Sequence, residues 1–139
     1  MSIQRAIDVL RSCPMRIRRW ACASHLAVIA LLSLLPAWLF PPSIAEVPGI
    51  DKWMHLAMYG VLGALLRWVA GQGPLSPAAR GLPAAGAGYG LVMEVLQPWI
   101  GGAGRAFSWE DAAVNLAGVA LFWVAAGRLL GGNEITPST

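Results

Sequence analysis

The sequence predicts an all-α fold, an integral membrane bundle of four transmembrane helices with short loops. Three observations predict it. With 57% hydrophobic and 12% charged residues in a chain of 139, there is too little polar surface for an ordinary water-facing exterior, and the length allows one domain. Four apolar stretches, 20–40, 53–70, 82–100 and 112–130, each approach the length a helix needs to cross roughly 30 Å of hydrocarbon. Helix breakers stand between them: Pro41, Pro42, Pro48 and Gly49; then Gly71, Gly73, Pro74 and Pro77; then Pro98, Gly101, Gly102 and Gly104.

Residues 1–19 read as a basic cytoplasmic segment, with Arg5, Arg11, Arg16, Arg18 and Arg19 supplying five of the ten basic residues. A cluster that abuts an apolar run is a membrane flank, and it argues against nucleic acid as a partner. Ile3, Ile7 and Leu10 share one helical face, so a short helix on the inner leaflet, ending before Pro14, competes here with a disordered arm. Cys13 and Cys22 lack metal-like spacing and lie in or beside this flank, where a reducing cytoplasm disfavours a disulfide. The first apolar stretch also admits a signal-peptide reading with Ser43-Ile44-Ala45 at the cleavage point. The run to Phe40 is longer than a usual signal core, which favours an uncleaved span.

Short connections make successive spans antiparallel. With the N-terminal cluster inside, Arg67, Arg80 and Arg128 also fall inside, which places both termini in the cytoplasm and leaves 131–139 as a flexible tail. The outer loops, 41–52 and 97–110, then carry Glu46, Asp51, Lys52, Arg105 and Glu110. Trp20 and Trp68 lie near the inner interface in this frame, and Trp38, Trp53, Trp99 and Trp109 near the outer one, as aromatic belts require. Trp123 lies deeper and the belt does not account for it.

Into the outer ends of these stretches are set ionisable and amide side chains that hydrocarbon disfavours: Asp51, Lys52, His55 and Tyr59; Glu94 and Gln97; Arg105, Ser108, Asp111 and Asn115. Spacings of four put Asp51, His55 and Tyr59 on one helix face and Asp111 and Asn115 on another, while Glu94 and Gln97 pair at three. Three helices with such faces at one depth shelter them best by turning them together, giving a polar pocket that opens outward beneath Arg105. Simpler roles compete at individual positions. Asp51 and Asp111 suit helix N-termini, Ser108 resembles the cap of a capping box, and His55 and Glu94 suit interhelical hydrogen bonding. A metal is disfavoured because one histidine with carboxylates is a poor zinc set, and no cofactor is expected. His25 stands alone and reads as a satisfied interior residue. Gly86-x-x-x-Gly90 allows close helix approach, more in keeping with packing inside the chain than with dimerisation.

These residues together resemble the VanZ-like membrane proteins, a family named for a protein linked to low-level resistance to the glycopeptide teicoplanin. One family signature is similar to Asp51, Lys52, His55, Tyr59 and Gly63, and the other to Glu94, Gln97, Arg105, Asp111, Asn115 and Gly118. The resemblance covers residues 20–130. Leu56 stands where an aromatic residue often follows the histidine, and the 101–104 insertion lengthens the connection to Arg105. The resemblance implies a small helical domain in a bacterial inner membrane and names no reaction.

The leading functional expectation is a non-enzymatic envelope protein whose outward pocket recognises a lipid-linked precursor or another anionic headgroup, and so modulates the response to glycopeptide antibiotics. Arg105 and Lys52 would meet the anion, with Glu94, Asp111 and Asn115 orienting them. The alternative is an enzyme using His55 with Glu94 or Asp111 as acid and base on a lipid-linked substrate. Proton-linked transport through the same carboxylates is disfavoured by the few polar residues in the inner half of the bundle.

Overall fold

The computed structural model describes residues 2–39, 47–71, 74–102 and 105–131. Among them are six helices and no strand: α1 (Ile3–Ser12), α2 (Met15–Leu34), α3 (Ile50–Ala70), α4 (Pro77–Arg80), α5 (Leu82–Ile100) and α6 (Trp109–Leu130), with a single 3-10 turn at Ala37–Leu39. Phe40, the Ser43-Ile44-Ala45 segment, Glu46 and the tail past Gly131 lie outside the described residues. The all-α expectation holds. By length and apolarity, α2 and α6 each suffice to cross a membrane.

Local chemistry sets the helix ends. Pro36 restricts the residue before it to extended backbone, and Leu35 takes φ −64 and ψ 138, so α2 stops at Leu34 instead of running on to residue 40 as the apolar stretch suggests. Gly49 adopts the left-handed conformation, φ 71, that side chains disfavour, and α3 starts directly after it. Ser108 accepts a hydrogen bond from the Asp111 amide at 3.1 Å and begins α6. α5 spans the residues its apolar stretch marks and continues through Pro98, which has no N–H to offer the carbonyl of Glu94 one turn back.

The basic segment is helical: α1 ends before Pro14, and Arg16, Arg18 and Arg19 already belong to α2. α1 is tied to the bundle by hydrogen bonds. Trp68 Nε1 donates to the Leu10 carbonyl at 2.7 Å and Arg11 Nε to that of Leu130 at 3.2 Å. The buried Arg18 donates to the carbonyls of Arg11, Cys13 and Trp68 at 2.6, 2.9 and 3.1 Å. Arg67, also buried, donates to the Gly71 carbonyl and lies 5.8 Å from the ring centre of Trp123, which accounts for the deep tryptophan. Both cysteines are free thiols.

α3 and α6 form the most extensive helix pair, with α5 and α2 packed against it. Glycine makes that closeness feasible. A Cβ at Gly63 would strike the Val119 backbone, and one at Gly118 would come 2.9 Å from the Leu56 carbonyl. Gly86 and Gly90 face Leu66 and Tyr59 within the same chain, the packing role their spacing suggests. The apolar core comprises Ile29, Tyr59, Leu62, Leu66, Met93 and Val119. His25 is satisfied by the Met58 carbonyl, 2.8 Å from Nε2.

The outside of the bundle is also apolar. Leu31, Val61, Val92, Val95, Leu121 and Val124 are exposed large side chains on four different helices, while Arg18, His55, Arg67, Glu94, Gln97 and Asn115 are buried. Trp38, Trp53, Trp99 and Trp109 are exposed near the end that carries Lys52 and Asp111, and Trp20 is exposed toward the opposite end.

Candidate polar site

α3, α5 and α6 each contribute polar side chains near one end of the bundle. His55 projects from the second turn of α3, Glu94 from the last third of α5, and Asp111 and Asn115 from the first two turns of α6. His55 Nδ1 lies 2.9 Å from Asn115 Oδ1 and 3.5 Å from Glu94 Oε1, and Asn115 Nδ2 donates to the same Glu94 oxygen at 3.4 Å. The reverse amide orientation would set the Asn115 oxygen against a carboxylate. With Asn115 in this orientation both neighbours of Nδ1 are oxygens, the arrangement in which Nδ1 carries the proton and donates.

One imidazole nitrogen of His55 and one carboxylate oxygen each from Glu94 and Asp111 lie within 4.8 Å of one another. Sequence spacing expects a pocket open to the outside, whereas Glu94 and Asn115 have no exposure at all and only Asp111, 15% exposed, reaches the rim. Glycine explains the closure. Gly90 lets Tyr59 and Asn115 approach to where a Cβ would sit, 2.9 and 3.1 Å away, which brings α5 down onto the α3–α6 pair.

Lys52 stands at the rim, with Nζ 2.9 Å from Glu110, 3.6 Å from Asp51 and 3.9 Å from Asp111. Its hydrogen bond with Glu110, and behind that the charges of Asp51, Glu110 and Asp111, outweigh desolvation and hold its pKa above the ordinary 10.5. Lys52 is a cation at any physiological pH, already surrounded by carboxylates. The rim and the cluster beneath it together hold Asp51, Glu94, Glu110 and Asp111 against this one lysine.

The remaining expected residues take supporting places. Tyr59 is wholly buried one turn below His55, with the two rings stacked at 6.4 Å and 11°. Gln97 is buried one turn beyond Glu94, and its Nε2 has no hydrogen-bond partner among the described residues. Ser108 is a helix cap, and Asp51 is exposed in the first turn of α3. Arg105 reaches toward α2, donating from Nε to the Leu35 carbonyl and from an Nη to that of Leu32, both at 3.3 Å. Glu110 pairs with Lys52 at the rim, a place that sequence spacing does not single out. It lies beside Asp111 in the first turn of α6, and its charge at a predicted outer loop was the available signal.

Comparison of the chain with protein-family models, curated proteins and solved structures finds no match.

Proposed function

We propose that this chain is a VanZ-like protein of a bacterial inner membrane, crossing it with α2, α3, α5 and α6 and keeping both termini in the cytoplasm. Its outer-end polar cluster recognises a polar envelope ligand, a lipid-linked precursor or a related headgroup, and thereby tunes the response to glycopeptide antibiotics. The observation that carries this reading is the inverted distribution of side chains. Glu94 and Asn115 are fully enclosed while their neighbours Val92, Val95 and Leu116 are exposed. In water that arrangement would expose apolar area and bury charge at once; in lipid both choices are favourable. Polar groups drawn from three helices to one depth exceed what hydrogen-bonded gluing requires.

Two measurements test the reading. In a Cys13→Ser, Cys22→Ser background, an impermeant thiol reagent applied to cells should label Gly102→Cys and spare Gln72→Cys. Native mass spectrometry of the purified protein should show a retained envelope lipid that is lost in His55→Ala. Reversed labelling removes the topology, and a wild-type protein carrying no lipid removes the recognition role.

A second reading is favoured by the His55 geometry. An imidazole oriented through Nδ1 by an amide and a carboxylate has the partners that hold a general base in one orientation. Turnover of a lipid-linked substrate that stops in Glu94→Gln while binding persists would establish the enzyme.

A further inference from the structure

We infer that His55, Glu94 and Asp111 form a binding site for one divalent transition-metal ion of the zinc or manganese kind. The spacing along the chain disfavours a metal, since only one histidine is at hand. Folding changes the donor set by bringing residues 55, 94 and 111 from three helices to within 4.8 Å of one another, atom to atom. Tetrahedral donors about 2.1 Å from an ion stand about 3.4 Å from one another, so the carboxylates must rotate inward by up to about 1.4 Å to close on it. Imidazole suits zinc and manganese better than magnesium or calcium, and two carboxylates suit them better than copper(I).

The second observation is electrostatic and independent of the spacing. Glu94 is fully buried, yet its Oε2 has no hydrogen-bond partner among the described residues, and neither has Asp111 Oδ1. A carboxylate held in a low-dielectric interior needs a cation or a full set of donors. Lys52 lies 3.9 Å from Asp111 Oδ1 but only 2.9 Å from Glu110, so it is engaged at the rim. A dication between Glu94 and Asp111 would give a partner to both oxygens that lack a hydrogen bond and would offset both charges. Asn115, which touches His55 and Glu94 at once, then acts as the positioning residue that metal ligands ordinarily have behind them.

An ion here would also reverse the potential that a headgroup meets. The acid-rich rim repels a phosphate, whereas a bound dication with open positions attracts one. This last step rests on the recognition role proposed above; the ion site itself does not.

The test uses the full chain in lipid nanodiscs, stripped with EDTA and titrated calorimetrically with zinc chloride and manganese chloride. The wild type should bind one ion per chain and melt at higher temperature with it. His55→Gln and Asp111→Asn should each lose about tenfold or more in affinity, while Asp8→Asn, an exposed carboxylate at the opposite end, should lose none. Asp111 is the ligand nearest the surface, so Asp111→Asn keeps the test decisive where changes at Glu94 prevent folding. A stripped wild type that takes up no ion overturns the site, as does unchanged affinity in both folded ligand variants. Zinc binding without lipid retention would remove the recognition role and keep the ion. Lipid retention in EDTA, with no ion taken up on titration, would do the reverse.

Discussion

Adding one methyl group at Gly63 tests the packing that closes the polar site. A Cβ there would fall against the Val119 carbonyl oxygen and 2.9 Å from both the carbonyl carbon and the Cα of Val119. All three atoms are backbone of the facing helix, so no side-chain rotation relieves the overlap. At Gly88 the same methyl meets nothing within 4 Å. Replacing glycine by alanine inside a helix gains about 0.8–1.0 kcal/mol from propensity at either position, so that gain cancels when the two variants are compared. What remains is overpacking, about 1–3 kcal/mol. We expect the upper part of that range, because relief requires α3 to move away from α6 along the contact that holds His55 against Asn115. Gly88→Ala should then be neutral to stabilising, and Gly63→Ala destabilising by about 1–2 kcal/mol. Denaturant titration in mixed micelles, followed by the fluorescence of the seven tryptophans, reads the difference. Equal unfolding midpoints for the two variants would refute the close approach of α3 and α6.

Three further outcomes follow from the geometry. Asn115→Ala removes one 2.9 Å and one 3.4 Å hydrogen bond from buried partners and should cost about 1–3 kcal/mol; a cost within about 0.5 kcal/mol would mean that His55 and Glu94 satisfy each other without it. Because the folded-state pKa of Lys52 is raised, its pairing with Glu110 contributes fully below the ordinary lysine value of 10.5 and fades as pH rises through the higher one. Lys52 is the chain's single lysine, so reductive methylation gives one side-chain NMR signal, and Glu110→Gln should move its titration to lower pH. Arg18→Ala removes three bonds to carbonyls and should speed amide exchange in α1 while leaving α5 unchanged.

Periodicity made much of this legible. Residues at spacings of three and four located His55, Glu94, Asp111 and Asn115 and implied that they meet, because charge on an otherwise apolar helix has few sheltered directions. The end of α3 at Ala70 and both ends of α5 agree with the apolar runs. The apolar stretch runs past the end of α2 because Pro36 acts locally, through the backbone of Leu35, and leaves the hydrophobicity unchanged. What spacing could not give is the interhelix distance. Whether the site is open or closed depends on Gly90 against Tyr59 and Gly118 against Leu56, contacts between residues far apart in sequence. The same limit left one histidine with carboxylates reading as a poor metal set, because the closeness of residues 55, 94 and 111 exists only once three helices converge.

The arginines carry a second lesson, and it bears on Arg105. Read along the chain they are a topology signal, yet in the fold four of them serve helix C-termini, whose last carbonyls have no donor within their own helix. Arg18 serves α1 and α3, Arg67 the Gly71 carbonyl just past α3, and Arg11 the end of α6. Arg105 fits this series, donating to Leu32 and Leu35 at the end of α2. Near hydrocarbon such carbonyls have little water to turn to, so a guanidinium that reaches two of them is structural, favoured further by the negative end of the helix dipole. A lysine reaches them as a point charge without the planar fork. Arg105→Lys should therefore lose part of the stability and Arg105→Ala more, about 1–2 kcal/mol for two long bonds to a charged donor. Lipid retention per folded molecule should stay unchanged in both. The opposite pattern, full thermal stability with retention lost, would return Arg105 to the ligand and show that its bonds to α2 give way when an anion arrives.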